Sequence, residues 1–551
     1  MFADIVSFIP TDPTKNYFTY KIPNKLSKDI LIGHLVSIPW GKKTTQGIIV
    51  EVRKETNVEK PKEILKFLSI SPLLLPNYIE ILKWMSWYYH APMLDCLKAM
   101  LPELPITSKQ LMTNAKNLSR SDLDVKQTLV LVPTIGQIEP ILKKINNSKA
   151  KLIYHKQLPR KEVWENWWKI YTQNTAVIVG TRSAVFVPCL NLEKIIIINE
   201  EDSGFKDRQS PYFDTLTVAA KLAQIAKAKL IIESLTPRVE TVFKFDKKVK
   251  KLEIRAKPKV TIVDLRKISK KPKKSDISDT LRDLLMDKVG KNQKVLLFLN
   301  RIKESGQIYC TECKFSGFFQ QPPEFCPNCK GRTFSFYSLN INSLKSQVSK
   351  LFPNAGINVI TERKEKIKKP GKPVVTLATN AIFSKSNLKF SLIGIILADT
   401  VLNLPDFNSA FGTFATLAKL TQLVQKEGEV VIQTYNPEHS AIKAAANFEF
   451  ETFYSEELIL RKKLELPPFT TLAKLSLRVK SPRTVRHEAE KLKTILDTKS
   501  LLVEVSDPVQ NWQGKTEFNI IAKAQKREEL DKVLVHLPTK WRVEVDPESL
   551  L

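Results

Sequence analysis

Two hydrophobic patterns divide the chain. In residues 1 to about 70, YFTYKI, HLVSIPW and QGIIVEV alternate or cluster β-forming residues between Pro, Gly and Asn, which predicts short strands joined by turns. From Pro76 to Met100, Ile79, Leu82, Trp84 and Met85 recur at helical spacing and Pro92 interrupts them, so two short helices are expected. Pro102 to Asp124 is polar and reads as a linker. Between Gln127 and Glu233 the runs TLVLVP, AVIVG, KIIIINE and KLIIES are rich in β-branched residues and separated by helical stretches. Strands that are apolar on both faces belong in a parallel sheet covered by helices. The same pattern returns in TIVDL, KVLLFLN, INVIT, VVTLAT, LIGIILAD and GEVVIQTY, up to about Tyr435, and predicts a second α/β lobe. In a last unit, from about Glu456 to Leu551, TLAKLSLRV, LLVEVSD, EFNIIAKA and WRVEVD read as strands around two amphipathic helices.

At 551 residues the chain can hold about three or four domains. Its longest apolar runs, Ile195 to Ile198 and Phe390 to Ala398, fall far short of the ~20 residues a membrane span needs. Asp4 stands where a secretory signal would be positive, so a cytoplasmic protein is expected. The charge changes the picture more: 87 Lys and Arg against 57 Asp and Glu leave +30, which calls for a polyanionic partner. Lys244 to Lys274 alone carries fourteen Lys and Arg and three acids, and reads either as a solvated linker or as a surface that tracks phosphates.

Six cysteines in a chain of this size do not make a secreted disulfide framework. Cys96 and Cys189 stand alone in apolar surroundings and read as inert buried thiols. Cys310, Cys313, Cys326 and Cys329 form C-x2-C-x12-C-x2-C, two knuckles whose four thiolates suit one tetrahedral structural zinc with no open position for water. Free thiols or a redox C-x-x-C are the other readings of that segment. A nucleotide site would need a glycine-rich loop ending in Gly-Lys-Ser/Thr. Gly514-Lys515-Thr516 has Val509 where the first glycine belongs, and reads as chance. Two strand ends carry chemistry: Asn199-Glu200-Glu201-Asp202 after KIIII, and Gly180-Thr181-Arg182-Ser183-Ala184 after AVIV, where Arg182 with hydroxyl neighbours suits phosphate. In the N-terminal module Phe18, Tyr20, Trp40 and Lys66 could stack on and pair with a nucleic-acid end, or form its core.

These strings, in this order, resemble the primosomal protein N′ family of PriA-type replication-restart DNA helicases over nearly the whole chain. FTYKIP, SIPWGKK and KWMSWYYHAPMLDCLKAMLP resemble the family's 3′-end DNA-binding domain; TLVLVP, VGTRSAVF, NLEKIIIINEED and SLTP its first helicase lobe; KVLLFLNR, LADTVLNLPDF and VVIQTYNPEH its second; LPPF and VEVDPESLL its C-terminal domain. The resemblance implies two tandem RecA-like lobes with a zinc-binding insertion, a small β-rich N-terminal DNA-binding domain and an α+β C-terminal domain. The expected boundaries are 1–105 for the DNA-binding domain, 106–126 for a linker, 127–240 and 241–445 for the lobes, 305–335 for the insertion and 446–551 for the C-terminal domain. It also carries the family's end-binding positions onto Phe18, Gly41 and Lys66, with Thr19 where the family has an aspartate.

The departures from the family fall on its ATPase machinery. No glycine lies between Ser119 and Lys126, where the phosphate loop belongs, and the winged-helix domain before it has no counterpart. Asn199 replaces the metal-holding aspartate of the family's D-E-E-H and Asp202 its histidine, leaving Glu200 and Glu201 in a vestigial motif. No arginine occurs between Arg363 and Arg461, where the second lobe would touch the γ-phosphate. Four cysteines stand where the family binds two zincs with eight. Phosphoryl transfer depends on positioning and charge stabilisation, so these losses predict a protein that binds forked or 3′-ended DNA without hydrolysing ATP, with one zinc and no ATP or Mg2+. DNA, a single-strand-binding protein and other replication-restart proteins are the expected partners of a monomer. The alternatives are an active ATP-dependent 3′-to-5′ helicase that uses other residues, and a zinc-dependent protein-interaction module.

Overall fold

The computed structural model describes the chain except residues 11–15, 27–29, 70, 104–124, 146–149, 173–174, 253–256, 268–275, 301–305, 314, 320–322, 338, 363–373, 386–387, 480–486, 489, 491, 493–501, 506–508, 511–515, 539 and 551. The N-terminal residues form an antiparallel sheet of β1 (Phe2–Ser7), β2 (Phe18–Lys21), β3 (Leu35–Trp40), β4 (Lys43–Arg53) and β5 (Lys66–Phe67), in the order β2-β1-β4-β3-β5. The segment before β5 pairs with the open edge of β2: Lys21 N donates to Lys62 O (2.8 Å) and Ile64 N to Lys21 O (3.1 Å). Unpaired groups that an edge strand would expose are thereby used. The strand pattern did not mark β1, because its side chains serve two cores: Ala3 and Ile5 pack inside this sheet, and Val6 joins the larger core described below.

Two helices follow, Pro76–Tyr88 and Met93–Met100. Pro76 suits the first turn, where its missing N–H would have had no partner. Tyr78, Ile79, Ile81, Leu82 and Met85 are buried on one face of the first helix. Tyr78 Oη donates to Val187 O and accepts from Cys189 N (3.4 Å), tying this helix to the sheet that comes next.

That sheet consists of β6 (Gln127–Leu131), β7 (Lys151–Tyr154), β8 (Val177–Gly180), β9 (Leu192–Ile198), β10 (Lys229–Ser234) and β11 (Val249–Lys251), all parallel, in the order β11-β10-β9-β6-β8-β7. A second parallel sheet, ordered β12-β20-β19-β13-β18-β17, is built from β12 (Lys259–Asp264), β13 (Val295–Phe298), β17 (Gly356–Ile360), β18 (Val374–Ala378), β19 (Phe390–Ile395) and β20 (Val424–Thr434). Between β13 and β17 the chain inserts a separate three-stranded antiparallel sheet of β14 (Gly306–Cys310), β15 (Ser316–Phe319) and β16 (Phe334–Tyr337). Helices cover the parallel sheets, among them Thr215–Ile225 in the first lobe and Asp279–Gly290 in the second. The fold is α/β, with two parallel-sheet lobes and a small β-rich N-terminal domain. The C-terminal residues form an antiparallel sheet of β21 (Thr471–Val479), β22 (Leu502–Val505), β23 (Val509–Gln510), β24 (Thr516–Ala524) and β25 (Arg542–Val545), with the helix Arg527–Leu534. The other helix expected there falls largely outside the described residues.

Two compact units result, one of Met1–Lys251 with Leu460–Leu550, the other of Leu252–Ile459. A single apolar cluster runs through the first unit, from Leu82 and Met85 through Leu129, Ile178 and Phe186 to Leu475, Ile520 and Val545. Leu82 is fully buried in it. Leu82→Ala is expected to destabilise the first unit by about 2–5 kcal/mol, seen as a lower urea midpoint for that unit with the unfolding of the second unchanged.

Candidate DNA interface and metal centre

Phe18 opens β2 and meets Trp40, at the end of β3, edge to face with ring centroids 4.8 Å apart. Phe18 also packs partly against the small core of this sheet, so it is neither a free stacking ring nor a fully buried one. Gly41 follows Trp40 at the first central position of the two-residue turn between β3 and β4, with φ +59°. A side chain there would be strained by the backbone alone, and no atom lies within 4 Å of where its Cβ would stand. Lys62 Nζ reaches the Gly41 carbonyl at 3.5 Å. Lys66 is exposed on β5, across from Ser37. Thr19 lies on the other face of β2 from Phe18, as alternation requires. Its hydroxyl donates to Asp4 Oδ1 (2.7 Å), and Arg53 pairs with the same buried carboxylate at 2.8 Å. Phe18 and Gly41 thus share one end of the sheet through Trp40, while Thr19 belongs to a separate polar group.

At the end of β9 the acidic run is folded inward. Asn199 takes a left-handed φ of +55°, which Asn tolerates better than most residues. Glu200 is 1% exposed. Its Oε1 accepts from Arg238 N (2.7 Å) and its Oε2 from Arg238 Nε (2.5 Å). Arg238 Nη1 in turn donates to Asp214 Oδ2 (3.0 Å), and Asp214 Oδ1 caps the helix Thr215–Ile225 through Thr217 N (2.9 Å). Glu201 accepts from the hydroxyls of Ser234 (2.7 Å) and Thr236 (3.4 Å). Asp202 caps the short turn Ser203–Phe205 through Gly204 N (2.7 Å). Burial pushes the Asp214 carboxyl up, and Arg238 more than offsets it, so Asp214 ionises below the ordinary aspartate range. For Glu200 burial prevails over the pull of Arg238, and its carboxyl is pushed up.

Arg182, after β8, donates through Nη1 to the carbonyls of Lys206 (2.7 Å) and Gly204 (3.4 Å), and lies 3.5 Å from Asp207. It clamps the turn that follows the acidic run. Gly180 before it has no room for a side chain, since a Cβ would come within 2.2 Å of Tyr154 O. Of the basic stretch, Lys250 pairs with Glu233 (2.9 Å) and Arg266 with Asp264 (2.8 Å), so part of its charge is balanced locally. The segment Ser119 to Asp124, the place of the expected phosphate loop, and Gly514 and Lys515 lie outside the described residues.

The four cysteines of the insertion converge. Sulfurs bound at about 2.3 Å to one ion at tetrahedral angles stand about 3.8 Å apart. Cys310 and Cys329 are 3.6 Å apart, Cys313 and Cys326 3.7 Å, and all four ligand atoms lie within 4.8 Å of one another. The second knuckle closes through Lys330 N to Cys326 O (2.9 Å) and Cys326 N to Gly331 O (2.8 Å), with Lys330 at φ +61°. This arrangement can hold a metal ion. Cys96 and Cys189 are buried, and burial pushes both thiols up, which keeps them protonated and unreactive. Among the described residues no helix is long and apolar enough to cross a membrane.

The described residues thus form an aromatic-ended β domain, two parallel-sheet α/β lobes and a four-cysteine insertion. Residues 7–102 match the 3'DNA-binding domain (3'BD) family of PriA, and the chain is similar in sequence to proteins named replication restart protein PriA. It is 26% identical over 77% of its length to replication restart protein PriA of Bacillus subtilis (strain 168). With the protein of Rickettsia conorii (strain ATCC VR-613 / Malish 7) it shares 23% identity over 96% of this chain and 97% of the other. The chain spans 59% of the length of the Bacillus relative and 63% of that of Thermotoga maritima. Among solved structures, RecG bound to a three-way DNA junction is similar at a TM-score of 0.33 and 11% identity, over 62% of this chain and 43% of that one. Sequence reasoning named the acidic run but not Arg238 or Asp214, its partners. Their one signal was that Arg238 directly follows the strand-end string SLTP.

Cys326→Ser is expected to lose the bound metal. Hydrogen exchange in β14, β15 and β16 should rise while that of the parallel sheets stays unchanged, because metal binding and folding are coupled at such sites.

Proposed function

We propose that the chain acts in replication restart by binding forked or 3′-ended DNA, and that it does so without hydrolysing ATP. The observation that carries this reading is the match of residues 7–102 to a 3'DNA-binding domain, on the sheet whose end holds Phe18, Trp40 and Gly41. The net charge of +30 supports a phosphate-rich partner. On this reading residues 1–105 are the DNA-binding domain, with Phe18, Gly41 and Lys66 at the DNA end. Thr19 and Arg182 contribute within the polar groups that hold them. Residues 127–240 and 241–445 are lobes serving as a platform, and 446–551 form the C-terminal domain.

Three features argue against turnover. Asn199 replaces a metal-binding carboxylate, the second lobe lacks its arginines, and both oxygens of Glu200 are engaged by Arg238. A general base must face a positioned water, and Glu200 is buried and turned onto Arg238. The retention of Glu200 and Glu201 at the strand end favours the second reading, an active ATP-dependent 3′-to-5′ helicase. The metal of the four-cysteine site is zinc, one per chain and structural, since four thiolates leave no position for substrate. The protein works as a cytoplasmic monomer beside single-strand-binding and other replication-restart proteins.

Labelled ATP is expected to show no turnover with or without forked DNA. Turnover that disappears in Glu200→Gln would establish the helicase reading instead. DNA affinity should fall steeply with salt, as release of counterions requires, and a blocked 3′ end should weaken it. Elemental analysis should give one zinc per chain.

A further inference from the structure

The geometry points to Arg238 as a resident cation that holds the strand-end carboxylates of the first lobe together in place of a divalent ion. This rests on the reading that the lobe performs no phosphoryl transfer, and it concerns what has taken over the site. A guanidinium is planar, permanently charged and forked, so it can bridge two carboxylates where a small ion would otherwise coordinate them. Arg238 does this across three elements. Its backbone N and its Nε take both oxygens of Glu200 from the end of β9, and its Nη1 takes Asp214 from the start of the helix Thr215–Ile225.

A third carboxyl, Glu548 from the C-terminal tail, also acts on Arg238 electrostatically. The other cation nearby, Lys206, is committed elsewhere. Its Nζ donates to Asp546 O (2.9 Å) and Val545 O (3.3 Å) and lies 3.6 Å from Glu544. Glu201 is held by Ser234 and Thr236. Among the described residues Arg238 is the cation in direct contact with Glu200 and Asp214, with Lys206 acting on Asp214 from farther off, and without Arg238 no described counter-charge would touch these two buried carboxylates. Hydrated Mg2+ is commonly bound through one or two carboxylates with its remaining ligands water. The set Glu200 and Asp214 would offer that chemistry once Arg238 is removed. The consequence for the wild-type chain is a strand end fixed in one state, whatever the concentration of divalent ions.

The test uses the full, zinc-loaded chain and thermal unfolding in chelator-free buffer without added Mg2+, in millimolar MgCl2 and in NaCl of matched ionic strength. Wild type should unfold at the same temperature in all three. Arg238→Ser should unfold at least about 5 °C lower without Mg2+, because a broken buried pair strands charge, and MgCl2 should restore most of the loss. Arg238→Lys, which keeps the charge and loses the fork, should lie between Arg238→Ser and wild type and respond to Mg2+ less than Arg238→Ser does. Should Arg238→Ser not fold, the double variant Arg238→Ser with Glu200→Gln, which strands one charge fewer, should fold and show no response to Mg2+. The proposal is overturned by stabilisation of wild type by Mg2+, by an Arg238→Ser loss that Mg2+ does not repair, or by a double variant that fails to fold. ATP turnover by wild type, with these metal responses intact, would overturn the proposed function and leave the role of Arg238 standing.

Discussion

The burial of one helix face decides how the first unit is put together. Tyr78, Ile79, Ile81, Leu82 and Met85 share one apolar cluster with Val6, Leu35 and Ile48 of the N-terminal sheet, which keeps a separate core around Ile5, Ile38 and Ile49. The same cluster continues through Leu129 and Ile178 of the β6 to β11 lobe into Leu475, Ile520 and Val545. Polar ties follow the same route. Tyr88 Oη donates to Asp546 Oδ2 (2.7 Å), Arg527 lies over the Tyr88 ring at 4.3 Å, and His90 meets Asp531 at 2.9 Å. Arg461, 1% exposed, pairs with Glu240 at 2.8 Å and fixes the start of the C-terminal part to the helix that carries Arg238's neighbours. The candidate DNA-binding end and the strand-end acids thus rest on one scaffold.

The second unit satisfies buried polar groups with uncharged donors. Gln433, fully buried at the end of β20, accepts from Ser278 N (2.8 Å) and donates to Asp276 O (2.8 Å) and Ile396 O (2.9 Å). Asp399 accepts from Thr434 Oγ1 (3.0 Å), Tyr435 N (3.0 Å) and Asn436 Nδ2 (2.7 Å). Each group has the partners that burial demands. Asp399 is the carboxylate of the string LADTVLNLPDF, and its bonds hold the turn after β20.

What could be read from the sequence follows from how local each signal is. Runs such as KIIII and LIGII lie within one strand, and their apolar character on both faces identifies β9 and β19 without knowledge of their neighbours. Cysteine spacing is similarly local, and the convergence of four sulfurs follows from it. The strands β7 and β11 were not legible, since KLIY and VKK are short edge segments with lysines and owe their form to pairing with β8 and β10. The partners of Glu200 were illegible for another reason. Arg238 reaches it only after the chain has passed through the helix Thr215–Ile225 and β10, Asp214 joins through Arg238, and no pattern in a window of residues encodes that meeting.

The first unit is discontinuous in sequence, and this has a consequence for how the protein is made. During synthesis Leu252–Ile459 leaves the ribosome complete before β21, β24 and β25 exist. The apolar faces that those strands will cover must wait, exposed, through the translation of an entire second unit. Native pairings of such long sequence separation form late and leave sticky surface in the meantime. The nascent chain is thus most exposed to aggregation, and most in need of a chaperone, in the interval between completion of the second unit and emergence of the C-terminal strands.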